Sequence, residues 1–198
     1  MHKIDILGYM IITFILVICG YIYYSSPEFN LKCIVSDKDG KKYCVRERKN
    51  MEKAAKLLEG ISDKAEQLVL YVYDKYPEME TVQQLKERFN RDVIMESLPN
   101  SKYTAFSENK GEKVSFCLNK EKGNNDDLID AHTLMFVCIH EMSHIMTKSI
   151  GHDSTFWNNF KFLLANAEAS GIHTPKNYKE EPKEYCGMKI KDSPYYDM

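Results

Sequence analysis

Two histidines flank a glutamate in the run His140-Glu141-Met142-Ser143-His144, and this pentad is where chemistry is most plausibly written into the chain. In a helix, positions four apart share a face about one turn from each other, so His140 and His144 can reach a single metal ion. Glu141 flanks the same site, where a carboxylate can take the proton of an attacking water, the role this motif gives its glutamate in metal-dependent peptide hydrolysis. The residues before the pentad, Leu134-Met135-Phe136-Val137-Cys138-Ile139, are strongly apolar, as a helix pressed through the middle of a small domain must be. Burying three ionisable groups on such a helix is costly unless they are partnered, and metal binding offsets that cost.

A catalytic zinc takes three protein ligands and leaves a fourth position open. A continuous helix would carry His152 about 12 Å beyond His144. Gly151 offers a stop at which the chain can turn His152 back towards the pair. Asp153 and Glu168 are the competing third ligands, the first adjacent in sequence and the second on the following helix. His132 and His173 are expected to be ordinary surface or loop histidines. The pentad, with Gly151-His152-Asp153 and Phe156-Trp157 after it, resembles the signature of the WLM and SprT-like minimal zinc metallopeptidases over residues 130–170. The remainder, including Tyr185-Cys186-Gly187-Met188, is similar to small membrane-anchored relatives encoded by large nucleocytoplasmic DNA viruses. One departure from the commoner pattern is that seven residues, rather than about five, separate His144 from His152.

The resemblance implies Zn2+ as cofactor, with His140, His144 and His152 as ligands and Glu141 as catalytic base. It also implies an α+β, zincin-like domain with a small antiparallel sheet and the HExxH motif on its active-site helix. The substrate class would be proteins or peptides, hydrolysed by a metal-activated water. An edge strand, expected near residues 114–118, would align an extended peptide through backbone hydrogen bonds. Tyr178 or Tyr185 could add an oxyanion donor, although packing is the simpler role for each. Members of the group include enzymes that digest proteins crosslinked to DNA, which gives a second reading. A third is a membrane or virion scaffold with a structural zinc, which would leave Glu141 without a purpose.

Stepping outward from the motif, the local patterns supply elements to position it. Residues 31–35 and 43–46 are predicted strands around the turn formers Asp37-Lys38-Asp39-Gly40. A long helix is predicted from Asn50 to about Tyr76, stopped by Pro77, and a shorter one from about Glu80 to Phe89. Short strand-like runs follow at residues 93–95, 103–106 and 114–118, with a turn at Asn109-Lys110-Gly111. Gly123-Asn124-Asn125-Asp126-Asp127 reads as a polar loop. The motif helix then runs from about Asp130 to Ile150, and a final helix from about Ser154 to Ser170 ends at Gly171. Beyond it, a tail containing Tyr178, Tyr185, Tyr195 and Tyr196 is expected to be irregular but packed in places.

At the other end, residues 6–27 contain no charged side chain, and the stretch from Ile6 to Ile22 is long and apolar enough to cross a bilayer as a helix. Tyr21, Tyr23 and Tyr24 sit where aromatic rings favour the headgroup boundary, and Ser25-Ser26-Pro27 breaks the helix. Tyrosines in place of a small-x-small cleavage site favour an uncleaved anchor over a signal peptide. The expected organisation is therefore a membrane anchor over residues 1–27, a juxtamembrane hairpin over 28–49 and a peptidase domain over 50–198. The membrane contact is assigned to residues 6–24, in a single-pass protein of a host or virion membrane. With 198 residues, a net charge of −2 and a pI near 6.3, the chain has room for one domain and no global attraction for nucleic acid.

A four-residue loop over Asp37 to Gly40 would set Cys33 directly opposite Cys44, within disulfide reach, with Cys117 and Cys186 as a second pair. Cys138 is expected to remain a buried thiol and Cys19 to lie in the membrane. Such bonds point to an oxidising compartment or to a thiol oxidase, so they do not by themselves fix the topology.

Overall fold

The computed structural model describes residues 3–25, 31–122 and 127–197. The helix-breaking Ser26-Pro27 and most of the polar loop, residues 123–126, lie outside the described residues. Helix α1 (Lys3–Ser25) includes the span Ile6–Tyr24, long and apolar enough to cross a membrane, with none of that span buried against the rest of the chain.

Strands β1 (Lys32–Val35) and β2 (Lys42–Val45) form an antiparallel hairpin in which Cys33 faces Cys44 and Val35 faces Lys42. Its turn closes through Ser36 N–H to the Lys41 carbonyl and Gly40 N–H to the Ser36 carbonyl, both 2.9 Å, with Gly40 at φ +70°. Helix α2 (Met51–Lys75) buries Ala54, Leu58, Ile61, Ala65, Leu68 and Val72, the three-and-four spacing of one helical face. It packs across β2 and β3 (Ile94–Glu96). Helix α3 (Glu80–Arg88) turns back on α2 through Val82 and Leu85. Strands β4 (Ala105–Glu108) and β5 (Lys113–Phe116) form a second hairpin. Its turn needs positive φ at Asn109, Lys110 and Gly111, and a Cβ on Gly111 would lie 2.7 Å from the Arg88 carbonyl oxygen, so the close approach to α3 demands glycine there.

The five strands form one mixed sheet in the order β1-β2-β3-β5-β4, which corrects the expected antiparallel sheet. β2 pairs parallel with β3, and β3 parallel with β5. The physical reason lies in the connections: helices α2 and α3 intervene between β2 and β3, and the β4 arm swings to the far side of β5. Only tight hairpins force antiparallel neighbours. It follows that β5, at residues expected to form the edge, is internal, and β4 is the exposed edge. The first hairpin, expected to stand beside the anchor, contributes two strands to this same sheet.

Helix α4 (Ala131–Met146) lies beside β4 and against α2, α3 and α5 (Ser154–Ala169). Asp130 caps its start, accepting from Thr133 N–H at 2.8 Å. Twelve of its sixteen residues are buried, so this helix has the core on nearly every side. It stops at Met146, earlier than the pattern suggested, because Thr147 is already extended and its hydroxyl donates back to the Ser143 carbonyl at 2.7 Å. The tail is more ordered than expected: β6 (Lys183–Tyr185) and β7 (Met188–Ile190) form a hairpin. Cys186 and Gly187, both at positive φ, make its two-residue turn. Disulfides join Cys33 to Cys44 and Cys117 to Cys186, while Cys138 is a buried thiol and Cys19 an exposed one on α1.

At the end of β3, Glu96 is fully buried between two arginines. It accepts from the Arg46 backbone N–H at 2.7 Å, lies 3.3 Å from Arg46 Nε and pairs with Arg48. This network joins β2 to β3 where only a single backbone register pair does so. Glu96→Gln would leave two desolvated guanidinium groups without a counter-charge, at an expected cost of about 3–5 kcal/mol in unfolding free energy. Urea denaturation of the variant against the parent measures it, and a loss under about 1 kcal/mol would place the network in contact with water.

Candidate metal centre

His140 and His144 leave the one face of α4 that is not packed into the core, and the chain returns His152 to them after Gly151, whose φ of +90° suits the reversal. The three imidazoles offer nitrogen atoms that all lie within 4.8 Å of one another. His140 Nε2 and His152 Nε2 are 3.1 Å apart. The three rings form a near-equilateral set, with centroids 4.8 to 5.0 Å apart. Tetrahedral zinc with Zn–N bonds of about 2.0–2.1 Å holds its nitrogen ligands about 3.3 Å apart, so this donor set fits the ion after small side-chain adjustments.

Phe156 is the floor of the cluster. Its fully buried ring lies 4.9, 4.3 and 4.6 Å from the rings of His140, His144 and His152, so one aromatic side chain contacts all three. Asp153 holds Phe156 in place by capping α5, accepting from its backbone N–H at 2.9 Å. That capping role occupies one of the competing third-ligand candidates. The other, Glu168, lies near the end of α5 and accepts from the Tyr195 hydroxyl. Neither belongs to the convergent group, which among the described residues is His140, His144 and His152.

The electrostatics follow from burial. Desolvation, with a smaller push from the neighbouring imidazoles, lowers His140 to a pKa of about 3. Desolvation and His152 lower His144 to about 4. Both rings are therefore neutral, as a metal ligand must be, through the physiological range. Glu141 is buried to 5% exposure, and the loss of water raises its carboxyl to about 8. A divalent cation beside it would oppose that shift by favouring the carboxylate.

A cavity of about 510 Å3 opens from His140 and Glu141. It is lined by the start of β4, with Thr104 and Ala105, and by the C-terminal hairpin and tail, with Met188, Ile190 and Pro194; the two meet where the Thr104 hydroxyl donates to Met188 Sδ at 3.4 Å. Tyr185 lines it too, buried, its hydroxyl donating to the Thr104 carbonyl at 3.3 Å. Tyr178 is instead a core residue stacked 4.7 Å from Phe136. His173, expected on the surface, is buried and lies 4.3 Å from His132, ring to ring. The tail's place on the cleft is not legible in local sequence, although the Cys-Gly dipeptide in Tyr185-Cys186-Gly187-Met188 has a glycine suited to a tight turn. Nor is the role of Lys110 legible there: its ammonium group donates to the carbonyls of His144 at 3.2 Å and Ser149 at 2.5 Å. No local pattern marks that contact, which joins residues 34 and 39 positions apart.

The model of the WLM domain matches residues 38–195 of the chain. Its relatives include an uncharacterized protein of Acanthamoeba polyphaga mimivirus, 28% identical over 90% of this chain and 93% of that protein. An uncharacterized protein of Invertebrate iridescent virus 6 is 29% identical over 49% of this chain and 53% of its own length. Among solved structures, Wss1 from Saccharomyces cerevisiae aligns with a TM-score of 0.47 and 20% identity, covering 63% of this chain and 86% of that one.

The opposed shifts at the site predict a stability maximum in the metal-free protein. Below the ordinary histidine value of 6.5, the unfolded chain takes up protons that folded His140 and His144 refuse, so stability falls as pH descends towards about 4. Between 4.5 and 8 the folded state instead keeps a proton on Glu141 that the unfolded chain releases, so that group removes stability as pH rises. Away from the site, burial also lowers His173 to about 4 and lowers His132, so the histidines outweigh the one glutamate on the acid side and the maximum falls just above pH 6.5. Urea midpoints measured in chelator from pH 5 to 8 should trace this curve, and Glu141→Gln should flatten its alkaline limb. An unchanged limb in that variant would show that the carboxyl is hydrated.

Proposed function

The chain belongs to the WLM domain family, and from that membership we propose that it is a zinc-dependent peptidase held at a membrane by its N-terminal helix. The observation that carries the proposal is the convergence of His140, His144 and His152 beside a buried Glu141 at the mouth of a cleft. Family membership supports the peptidase class, and the zincin-like reading of the fold rests on the pentad's placement on a central helix beside an edge strand. The relationship to proteins of large DNA viruses fits a protein of a viral or host membrane.

In this reading residues 1–27 are the anchor, and residues 28–49 lead from it into the domain of residues 50–198, to which their hairpin lends two strands. His140, His144 and His152 would hold the ion, with Phe156 keeping their rings in place. Zinc, when bound, supplies a Lewis acid that polarises a carbonyl and makes water more acidic. Glu141 takes a proton from the attacking water as its oxygen bonds to the scissile carbonyl carbon. It then delivers that proton to the nitrogen as the C–N bond breaks. The exposed edge of β4 offers backbone donors and acceptors to an extended peptide, the role expected at residues 114–118 before β5 proved internal.

Zinc analysis and cleavage assays on the full-length chain in phospholipid vesicles test the assignment. His140→Ala or His144→Ala should abolish high-affinity zinc binding, and His152→Ala should weaken it strongly. Glu141→Gln should keep zinc while lowering cleavage of an unfolded protein by at least about 100-fold, because it removes proton transfer and preserves shape. Equal cleavage by parent and Glu141→Gln would refute the mechanism, and full zinc content in His152→Ala would reassign the third ligand.

A further inference from the structure

The cleft beside Glu141 is far more apolar than proton transfer requires. Phe136, Val137 and Phe160 of the two helices and Met188, Ile190 and Pro194 of the tail line it, with the charged Lys191, Asp192 and Asp197 of the tail also on its lining. Its volume of about 510 Å3 falls within the range of about 300–1,000 Å3 typical of ligand pockets. The tail is built to stay in place. Cys186, at the tip of the β6–β7 hairpin, is bonded to Cys117 at the end of β5, and its backbone N–H donates to the Asn119 carbonyl at 3.0 Å. Gly187 N–H donates to the Lys120 carbonyl at 2.8 Å. Further along, Lys179 pairs with Asp192 at 3.2 Å and with Asp197 at 2.6 Å, and the Tyr196 hydroxyl donates to the Pro175 carbonyl at 2.9 Å. A tail with no catalytic group is thus tied to the end of β5 and the residues after it, and braced by contacts within the tail itself.

Resting on the peptidase reading, we propose that this pocket selects the substrate residue on the nitrogen side of the scissile bond, and that it takes a bulky apolar side chain such as leucine or phenylalanine. The side follows from proton transfer. Glu141 must hand its proton to the departing nitrogen, so the residue carrying that nitrogen sits nearest to it. The pocket is lined by His140 and Glu141 but by neither His144 nor His152. Val137 lies one helical turn before Glu141 on the same face and lines the pocket. Each methylene buried in such a pocket is worth about 10- to 200-fold in discrimination.

Trp157 is the chain's single tryptophan and lines the same cleft, so occupancy can be read by fluorescence without turnover. The full-length chain in phospholipid vesicles is titrated with leucinamide, phenylalaninamide and glycinamide, and separately the new N-termini released from a denatured protein are sequenced. The expected result is a saturable Trp157 response to the two apolar amides, at concentrations at least about tenfold below any response to glycinamide. Leucine, phenylalanine, isoleucine and methionine should dominate the new N-termini. Val137→Phe should fill the pocket and shift cleavage towards small residues; Met188→Lys, on the half-exposed wall, should weaken the apolar response without touching the core. Glycinamide binding as well as leucinamide, or cleavage with no apolar enrichment, overturns the pocket assignment while leaving the peptidase reading intact. Discriminating amide binding with no cleavage by the zinc-loaded protein upholds the pocket and removes the peptidase.

Discussion

A helix surrounded by core cannot easily carry ionisable groups, and α4 carries three within five residues. Leu134, Met135, Cys138, Ile139, Met142, Ile145 and Met146 seal it on the sheet and helix sides. His140 and Glu141 then face the strip left between β4 and the C-terminal tail, and His144 emerges one turn further on, beside His152. Desolvation there keeps the imidazoles neutral and makes a lone carboxylate unfavourable, and both effects are relieved by a cation at the same point. The apolar packing that makes the helix stable is therefore also what makes its open face receptive to a metal.

That strip has two walls of different origin. β4 is the exposed edge because the β4–β5 hairpin inserts β5, not β4, beside β3. The tail forms the other wall because a disulfide spanning 69 residues ties the β6–β7 turn to the end of β5. Closing so long a loop restricts the unfolded chain more than the eleven-residue Cys33–Cys44 link does. One covalent bond thus connects the sheet to the segment that shapes the cleft.

How much of this was readable in the chain depended on distance along it. The Cys33–Cys44 register followed from four turn residues, and the pentad's helix from apolar spacing, because both are local. The meeting of His152 with the pair was readable because it needs one reversal at a glycine. The sheet order was not, since parallel pairing of β2 with β3 and of β3 with β5 depends on contacts across dozens of residues that leave no periodic trace. The C-terminal hairpin escaped notice because its strands are three residues long and its turn uses a cysteine at positive φ, where asparagine or aspartate would have announced it.

The long connection between His144 and His152 poses a last physical question, because extra loop residues ordinarily loosen a ligand. Here the slack is taken up by side chains from three other elements. Gln84 of α3 donates to the Ile145 carbonyl at 2.7 Å, satisfying a backbone acceptor at the end of α4 that has no partner within the helix. Asn159 of α5 donates to the Thr147 hydroxyl at 2.9 Å, and that hydroxyl in turn donates to the Ser143 carbonyl, fixing the point where the chain leaves α4. Lys110, held at the β4–β5 turn by the glycine beside it, spans from the His144 carbonyl to the Ser149 carbonyl and so bridges the two ends of the slack. Beyond it only Ile150, Gly151 and His152 remain before Asp153 starts the next helix. The seven-residue spacer therefore behaves as a short one: its start and middle are pinned by side chains of other elements, and within the bend over residues 148–152 the positive φ falls on Gly151.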